Sequence, residues 1–212
     1  KVFLKTGYYY FDYISDQINN NLLNNKFSNT VLVAPSWNYS SKNFLELYSM
    51  KLIEQLLSNN YKVIFRPHQE HFKRNKQTIE NIHKKFNENK NFIYDNKPLN
   101  CESLLQSSYL ITDYSGIAHE FIFLINKPVL YFKELSKIHN TDYKSLDGDT
   151  IEEDIFKKFG YPIIEKDLND INQTIQMSQK NFEMNRETIN SFANKNFYNF
   201  KVSGEASSKF FE

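Results

Sequence analysis

The sequence predicts an α/β fold, a parallel β-sheet flanked by helices on both faces. Short apolar runs of strand length alternate with segments of helical periodicity between residues 31 and 132. Each run ends in a loop holding the informative polar residues, as at the carboxyl edge of an open parallel sheet. With 212 residues, 40% hydrophobic and 16% aromatic, the chain can bury one good core or two small ones.

Val31 to Ala34 reads as a strand closed by Pro35, followed by an amphipathic helix over Phe44 to Leu57 with Leu45, Tyr48, Leu52, Ile53 and Leu56 on its apolar side. The beat recurs as a strand from Lys62 to Phe65, a helix from Thr78 to Phe86, a strand from Phe92 to Tyr94 and a short helix from Glu102 to Gln106. It recurs again as a strand from Leu110 to Thr112, a helix from Ser115 to Leu124 and a strand from Val129 to Phe132, entered through Lys127-Pro128. From Lys133 to Gly160 the pattern loosens around an Asp147-Gly148-Asp149 turn, and Leu168 to Phe197 reads as one or two polar helices packing back on the sheet. Residues 1–26 read as a connecting segment with a helix from about Tyr13, and residues 27–212 as one domain. Ligand chemistry is expected in the loops after Ala34, Phe65, Tyr94, Thr112 and Phe132.

Composition narrows the function. Twenty-six basic against 25 acidic residues give no global field for gripping nucleic acid or an anionic bilayer, so any anion site is local. The longest apolar runs fall far short of the roughly 20 residues a spanning helix needs. Cys101 is the single cysteine, which rules out an internal disulfide and fits a reducing, cytoplasmic compartment. The chain opens on Lys1-Val2-Phe3-Leu4 without Met or signal region and so reads as a piece of a longer protein.

The strongest local signal is Thr112-Asp113-Tyr114-Ser115-Gly116, between a strand end and a helix start. There Ser115 and the Gly116 amide offer a hydroxyl and backbone N–H groups to a phosphate, favoured by the helix dipole; the alternative is that Asp113 or Ser115 simply caps the helix. Asp113 serves equally as an acceptor for neighbouring loop N–H groups. Arg66-Pro67-His68 follows a strand directly and brings a forked donor suited to phosphate next to an imidazole that can donate or shuttle a proton. The plain alternative is a surface Arg and a loop His. Of His68 and His71, His68 is the better candidate, and the remaining histidines, His83, His119 and His139, lack metal-ligand spacing. Ser36 and Trp37 end the first strand, where the Trp either lines the crevice or anchors in the core. Glu120, one helical turn past Ser115, could accept from ribose hydroxyls or simply be solvated. Gly-x-Gly-x-x-Gly, Walker-type and Gly-x-Ser-x-Gly motifs are absent, which lowers dehydrogenase, NTPase and hydrolase readings.

Taken in order, Gly7-Tyr8 with Asp12, Ala34-Pro35-Ser36-Trp37, Arg66-Pro67-His68, Ile111 to Gly116 and Asn126-Lys127-Pro128-Val129 resemble the CDP-glycerol glycerophosphotransferase family, whose members build teichoic-acid-like or capsular polymers. The resemblance runs over most of the chain and is weakest after Phe132. It implies a GT-B type fold of two Rossmann-like domains, this chain being the C-terminal, donor-binding one. It further implies that His68 contacts the donor pyrophosphate as the catalytic candidate, that Ser115 and Gly116 bind phosphate, and that Glu120 lies near the cytidine ribose. Arg66, Ser36 and Asp113 complete the expected substrate-binding set. Implied partners are CDP-glycerol or a related nucleotide donor, a polymer or lipid-linked acceptor, and a missing N-terminal domain, with the full-length protein meeting the inner face of the membrane.

No cofactor is evident, although a divalent ion bridging donor phosphates would need few protein ligands and is compatible with the sequence. Gly116 stands where the family has a second Ser and Glu120 where Asp is usual. Gly160-Tyr161-Pro162 only loosely echoes a Pro-Gly-Pro. The family's Trp-His-Gly-Thr-Pro motif, whose His is the catalytic base, has no counterpart, so the chain alone is expected to bind rather than catalyse. The competing expectations are a GT-B glycosyltransferase using a nucleotide sugar and a non-catalytic nucleotide-binding module.

Overall fold

The computed structural model describes residues 3–21, 28–38, 43–97, 101–135, 142, 145 and 150–210. The expected Asp147-Gly148-Asp149 turn and His139 lie outside these. Six strands, β1 (Thr30–Ala34), β2 (Lys62–Phe65), β3 (Phe92–Tyr94), β4 (Tyr109–Thr112), β5 (Val129–Phe132) and β6 (Gly160–Ile163), form one sheet in the order β3-β2-β1-β4-β5-β6. Every pairing is parallel, with central Leu32 facing Ile64 on one side and Leu110 on the other. The strand order reverses between β1 and β4, and such a switch point opens a crevice at the carboxyl ends of the strands.

Alternation along each strand divides the core in two. Val31, Val33, Val63, Phe65, Ile111, Leu130 and Phe132 face one cluster, which α3 (Ser49–Ser58) and α5 (Lys76–Phe86) cover with Leu52, Ile53, Leu56, Ile79 and Ile82. Leu32, Ala34, Ile64, Leu110, Val129 and Tyr131 face the other, covered by α1 (Tyr9–Asn21), α6 (Glu102–Gln106) and α8 (Ile151–Phe159). The 26-residue α9 (Ile171–Asn196) contributes Ile171 and Ile175 to the first cluster and Phe182, Ile189 and Ala193 to the second. Helices therefore cover both faces of the sheet, as the alternating pattern predicted.

Several boundaries differ from expectation for physical reasons. The helix expected over Phe44 to Leu57 is two pieces, α2 (Phe44–Leu47) and α3, hinged at Tyr48 with φ −125°. Ser49 Oγ takes the Phe44 carbonyl at 3.3 Å, while the Tyr48 ring lies flat on Phe132, centroids 4.4 Å apart. Beyond Ser115, α7 (Ile117–Glu120) widens into a π-helix over Phe121–Ile125, all five of whose residues are buried, and Asn126 ends it in the left-handed conformation at φ 57°.

Three α-helices and one strand went unread in the sequence: α4 (Gln69–Arg74), α8, α10 (Ser203–Ser208) and β6. In β6, Gly-Tyr-Pro-Ile is short and lacks the usual strand signature. Its Pro162 is tolerated because the strand lies on the sheet edge. Helix α1 begins at Tyr9 rather than near Tyr13, and its Phe11 and Ile14 are buried in the second core cluster.

Candidate functional site

Strands β1 to β3 hand their backbone hydrogen bonding on into the loops that follow, which ties those loops together at the carboxyl edge. Arg66 N–H donates to the Val33 carbonyl at 2.9 Å, His68 N–H to Pro35 at 3.1 Å and Asp95 N–H to Phe65 at 2.9 Å. The loops after β1, β2 and β4 are further joined by two buried side chains. Asp113 Oδ1 accepts from Ser36 N–H at 2.9 Å. The ring of fully buried His71 lies 3.1 Å from the Ser36 carbonyl oxygen through Nε2 and 2.8 Å from Asn75 Oδ1 through Nδ1.

A cavity of about 370 Å³ opens at this edge. Ala34, Pro35 and Ser36 from the first loop, Arg66 to Gln69 from the second, Asp95 to Lys97 from the third, and Ser115, Gly116, Ile117 and Glu120 from the fourth line it. The structure thus brings together Ser36, Arg66, His68, Ser115, Gly116 and Glu120. Asp113 is not among the lining residues. It is 1% exposed, and its carboxylate Oδ1 accepts from the Ser36 amide. Trp37 neither lines the cavity nor anchors the core: it is half-buried, with the Arg74 guanidinium 5.2 Å above its ring. Lys133, Glu134 and Leu135, the described residues directly after β5, are not in the lining, and Glu134 accepts from the Tyr48 hydroxyl at 3.4 Å.

The electrostatics of the site follow from burial and neighbours. Arg66 lies with Nε 3.9 Å from Asp95 Oδ2, the two side chains 17% and 6% exposed. Asp95 in turn accepts from Ser103 Oγ and, at 3.0 Å, from Lys97 N–H, so the carboxylate beside the arginine is fixed from three sides. Burial pushes the Glu120 carboxyl up to about 7, against the opposing pull of the Arg66 guanidinium. His68 caps α4, its Nδ1 accepting from Glu70 N–H at 3.2 Å, which assigns the proton of the neutral ring to Nε2. Neighbouring His119 lies 6.0 Å from Phe156, ring to ring. Among the described residues its Nε2 has no hydrogen-bond partner, and burial holds its imidazole below the usual range.

At Gly116 the backbone is helical (φ −56°, ψ −32°), and a Cβ there would meet nothing within 4 Å. Glycine is thus not sterically required at this position, which lines the cavity together with Ser115. Together, an arginine fork, an imidazole, a serine hydroxyl and helix-start amides can hold an anion of phosphate type.

Sequence reasoning missed Tyr10, Gln69, Phe72, Asp95, Asn96 and Lys97 in the lining. The loop after Tyr94 was named by the sheet rule, but Asp95-Asn96-Lys97 carries no motif. Tyr10 lies within the Gly7-to-Asp12 stretch of the resemblance but was not singled out, since nothing local ties α1 to the sheet edge.

A family model described as CDP-glycerol:poly(glycerophosphate) glycerophosphotransferase matches residues 3–212. Among solved structures, a single-residue variant of the wall teichoic acid polymerase TagF aligns at TM-score 0.50 and 20% identity over 94% of this chain and 45% of its own. The unsubstituted TagF aligns at TM-score 0.46 and 22% identity over 95% and 45%. A putative UDP-N-acetylglucosamine 2-epimerase from Listeria monocytogenes aligns at TM-score 0.54 and 13% identity over 97% and 51%. The chain thus spans about half the length of these structures. None of the curated proteins matches it. The likenesses at TM-scores 0.50 and 0.54 agree with the observed six-stranded parallel sheet in showing a Rossmann-like α/β fold. No helix among the described residues is long and apolar enough to cross a membrane. With the matched model running over nearly its whole length, the chain belongs to the CDP-glycerol:poly(glycerophosphate) glycerophosphotransferase family.

Proposed function

We propose that this chain is the donor-binding domain of a transferase that moves glycerol phosphate from CDP-glycerol to a growing teichoic-acid-like or capsular polymer and releases CMP. The observation that carries the reading is the convergence of Arg66, His68, Ser115 and Gly116 on one cavity at the switch point of the sheet, with Glu120 in the same lining. In the proposed reaction an acceptor hydroxyl oxygen attacks the phosphorus next to glycerol, a new P–O bond forms and the P–O bond to CMP breaks. The departing CMP keeps the electron pair. Arg66 and the helix-start amides offset the charge that builds on the phosphate oxygens, and the Nε2–H of His68 is suited to meet the bridging or leaving oxygen. Ser36 and Ser115 supply orienting hydroxyls, and Glu120 accepts from the ribose.

In this reading a second domain brings the acceptor and the base that takes its proton, so the 212-residue chain binds the donor without turning it over. The work is done at the cytoplasmic face of the membrane, where nucleotide donors and lipid-linked acceptors meet. Calorimetric titration of the chain with CDP-glycerol, CMP and UDP-N-acetylglucosamine tests this. Cytidine-selective binding that is lost in Ser115→Ala and His68→Ala is expected. Preference for the uridine ligand would replace the reading with a sugar transferase, and turnover by the isolated chain would remove the need for a second domain.

A further inference from the structure

One wall of the cavity comes from α1. Tyr10 lines the cavity beside Leu104, Ile117 and Glu120. These four project from helices on one face of the sheet, whereas Ser36, Arg66 and His68 come from the β1 and β2 loops. The two groups differ in chemistry. The loops and the Ser115-Gly116 helix start offer hydroxyl, guanidinium, imidazole and amide donors that suffice for a phosphate. The α1 side offers a flat ring, aliphatic surface and one carboxyl group. That combination suits the sugar and base of a nucleotide and has nothing for a bare anion. Tyr10 also stacks on Tyr13, centroids 5.8 Å apart and planes 23° from parallel, so a base on the cavity side would extend an existing stack. Its phenol is pushed up to about 12, chiefly by burial and secondarily by Glu120, which keeps the hydroxyl a donor at neutral pH.

Helix α1 is held by the far end of the chain. Asp12 Oδ2 accepts from Gly204 N–H at 2.7 Å, at the start of α10. Asn199 Nδ2 donates to the carbonyls of Lys5 at 2.6 Å and Thr6 at 3.2 Å. Phe11 meets Phe197 and Phe200 edge-on at 5.3 and 5.5 Å. Gly7, at φ +99°, runs so close to the Tyr198 carbonyl that no side chain fits. The contacts of Tyr10 with the ligand space therefore depend on residues some 190 positions away in sequence.

Resting on the nucleotide-donor reading, we propose that Tyr10 is a binding residue that stacks on the nucleobase of the donor. The clasp between α1 and residues 197–204, with Asp12 as its positioning residue, holds that ring in place. The test titrates the 212-residue chain with CMP and, separately, with inorganic pyrophosphate. Tyr10→Ala is expected to weaken CMP about tenfold, the range for loss of one base–aromatic contact, and to leave pyrophosphate within twofold. Tyr10→Phe keeps the ring and holds CMP affinity within about threefold. Asp12→Ala reproduces the direction and ligand selectivity of Tyr10→Ala while circular dichroism reports an intact sheet. CMP binding indifferent to Tyr10→Ala, equal losses for the two ligands, or a Tyr10→Phe as weak as Tyr10→Ala would each overturn the stacking contact. Wild-type chain that binds pyrophosphate but not CMP, or binds neither, overturns the nucleotide reading and this inference together.

Discussion

The carboxylate of Asp113 and the backbone N–H of Ser36 are joined by a buried 2.9 Å hydrogen bond that spans 77 positions in sequence and ties the loop after β1 to the loop after β4. Both loops line the cavity, so this bond sets the spacing of Ser36 and Ser115 without either Asp113 oxygen needing to touch a ligand. Asp113→Ala leaves a buried N–H without its carboxylate and should lower stability by about 1–3 kcal/mol. Urea denaturation measures the loss, and an unchanged midpoint would contradict the bridging role.

Asp95 stands beside Arg66, so its charge should bear on ligand affinity through the guanidinium. Replacing it with Asn keeps the shape but removes the charge lying 3.9 Å from the guanidinium. If orientation of the arginine dominates, Asp95→Asn weakens CDP-glycerol binding about tenfold, equivalent to ~1.4 kcal/mol. If the carboxylate matters only as a negative charge near an anion site, the same variant binds more tightly. The sign of the change in calorimetric affinity decides between the two.

Glu120 makes stability fall with rising pH. Its carboxyl is raised from 4.5 to about 7 by burial, so between those values the folded state binds more protons than the unfolded one. The slope of stability against pH is therefore negative across that window and levels off above pH 7. The full effect is roughly 3 kcal/mol. Glu120→Gln should flatten this fall, so that the variant gains on the parent chain as pH rises from 5 to 8. Comparing variant with parent matters because His119, whose basicity is depressed by burial, has the opposite sign below about pH 6.5. Denaturant unfolding at pH 5, 7 and 8 gives the measurement, and parallel curves for the two proteins would count against the raised carboxyl.

Two glycines respond oppositely to a side chain. Gly7→Ala places a Cβ against the Tyr198 carbonyl at positive φ and should cost about 1–3 kcal/mol. Gly116→Ser meets open space in a helical conformation and should change stability by no more than about 0.5 kcal/mol. The added hydroxyl beside the cavity should strengthen phosphate binding by about 0.5–1.5 kcal/mol. Thermal melts of both variants and a pyrophosphate titration of the second provide the check.

Strand order from β1 to β5 was legible because those strands are apolar runs bounded by turn residues, and the sheet rule then located the cavity at their carboxyl ends. The edge strand β6 was not legible, since a four-residue Gly-Tyr-Pro-Ile segment is held in the sheet by β5 rather than by its own propensity. Arg66, His68, Ser115 and Glu120 were readable because each stands at a strand end or one helical turn beyond it. Asp113 belongs to the same motif, yet the direction of its side chain depends on where the Ser36 amide lies.

The sequence by itself determined the parallel α/β architecture, the edge at which the cavity opens and several of the polar residues that line it, because these follow from local periodicity and from residues adjacent in the chain. Only the tertiary structure decided that Asp113 and His71 serve Ser36, that Asp95 stands beside Arg66, and that Tyr10 reaches the cavity from a helix held by Asn199 and Gly204. Each of these depends on contacts between segments distant in sequence, which become defined only when burial of the two apolar faces of the sheet fixes the helices against it.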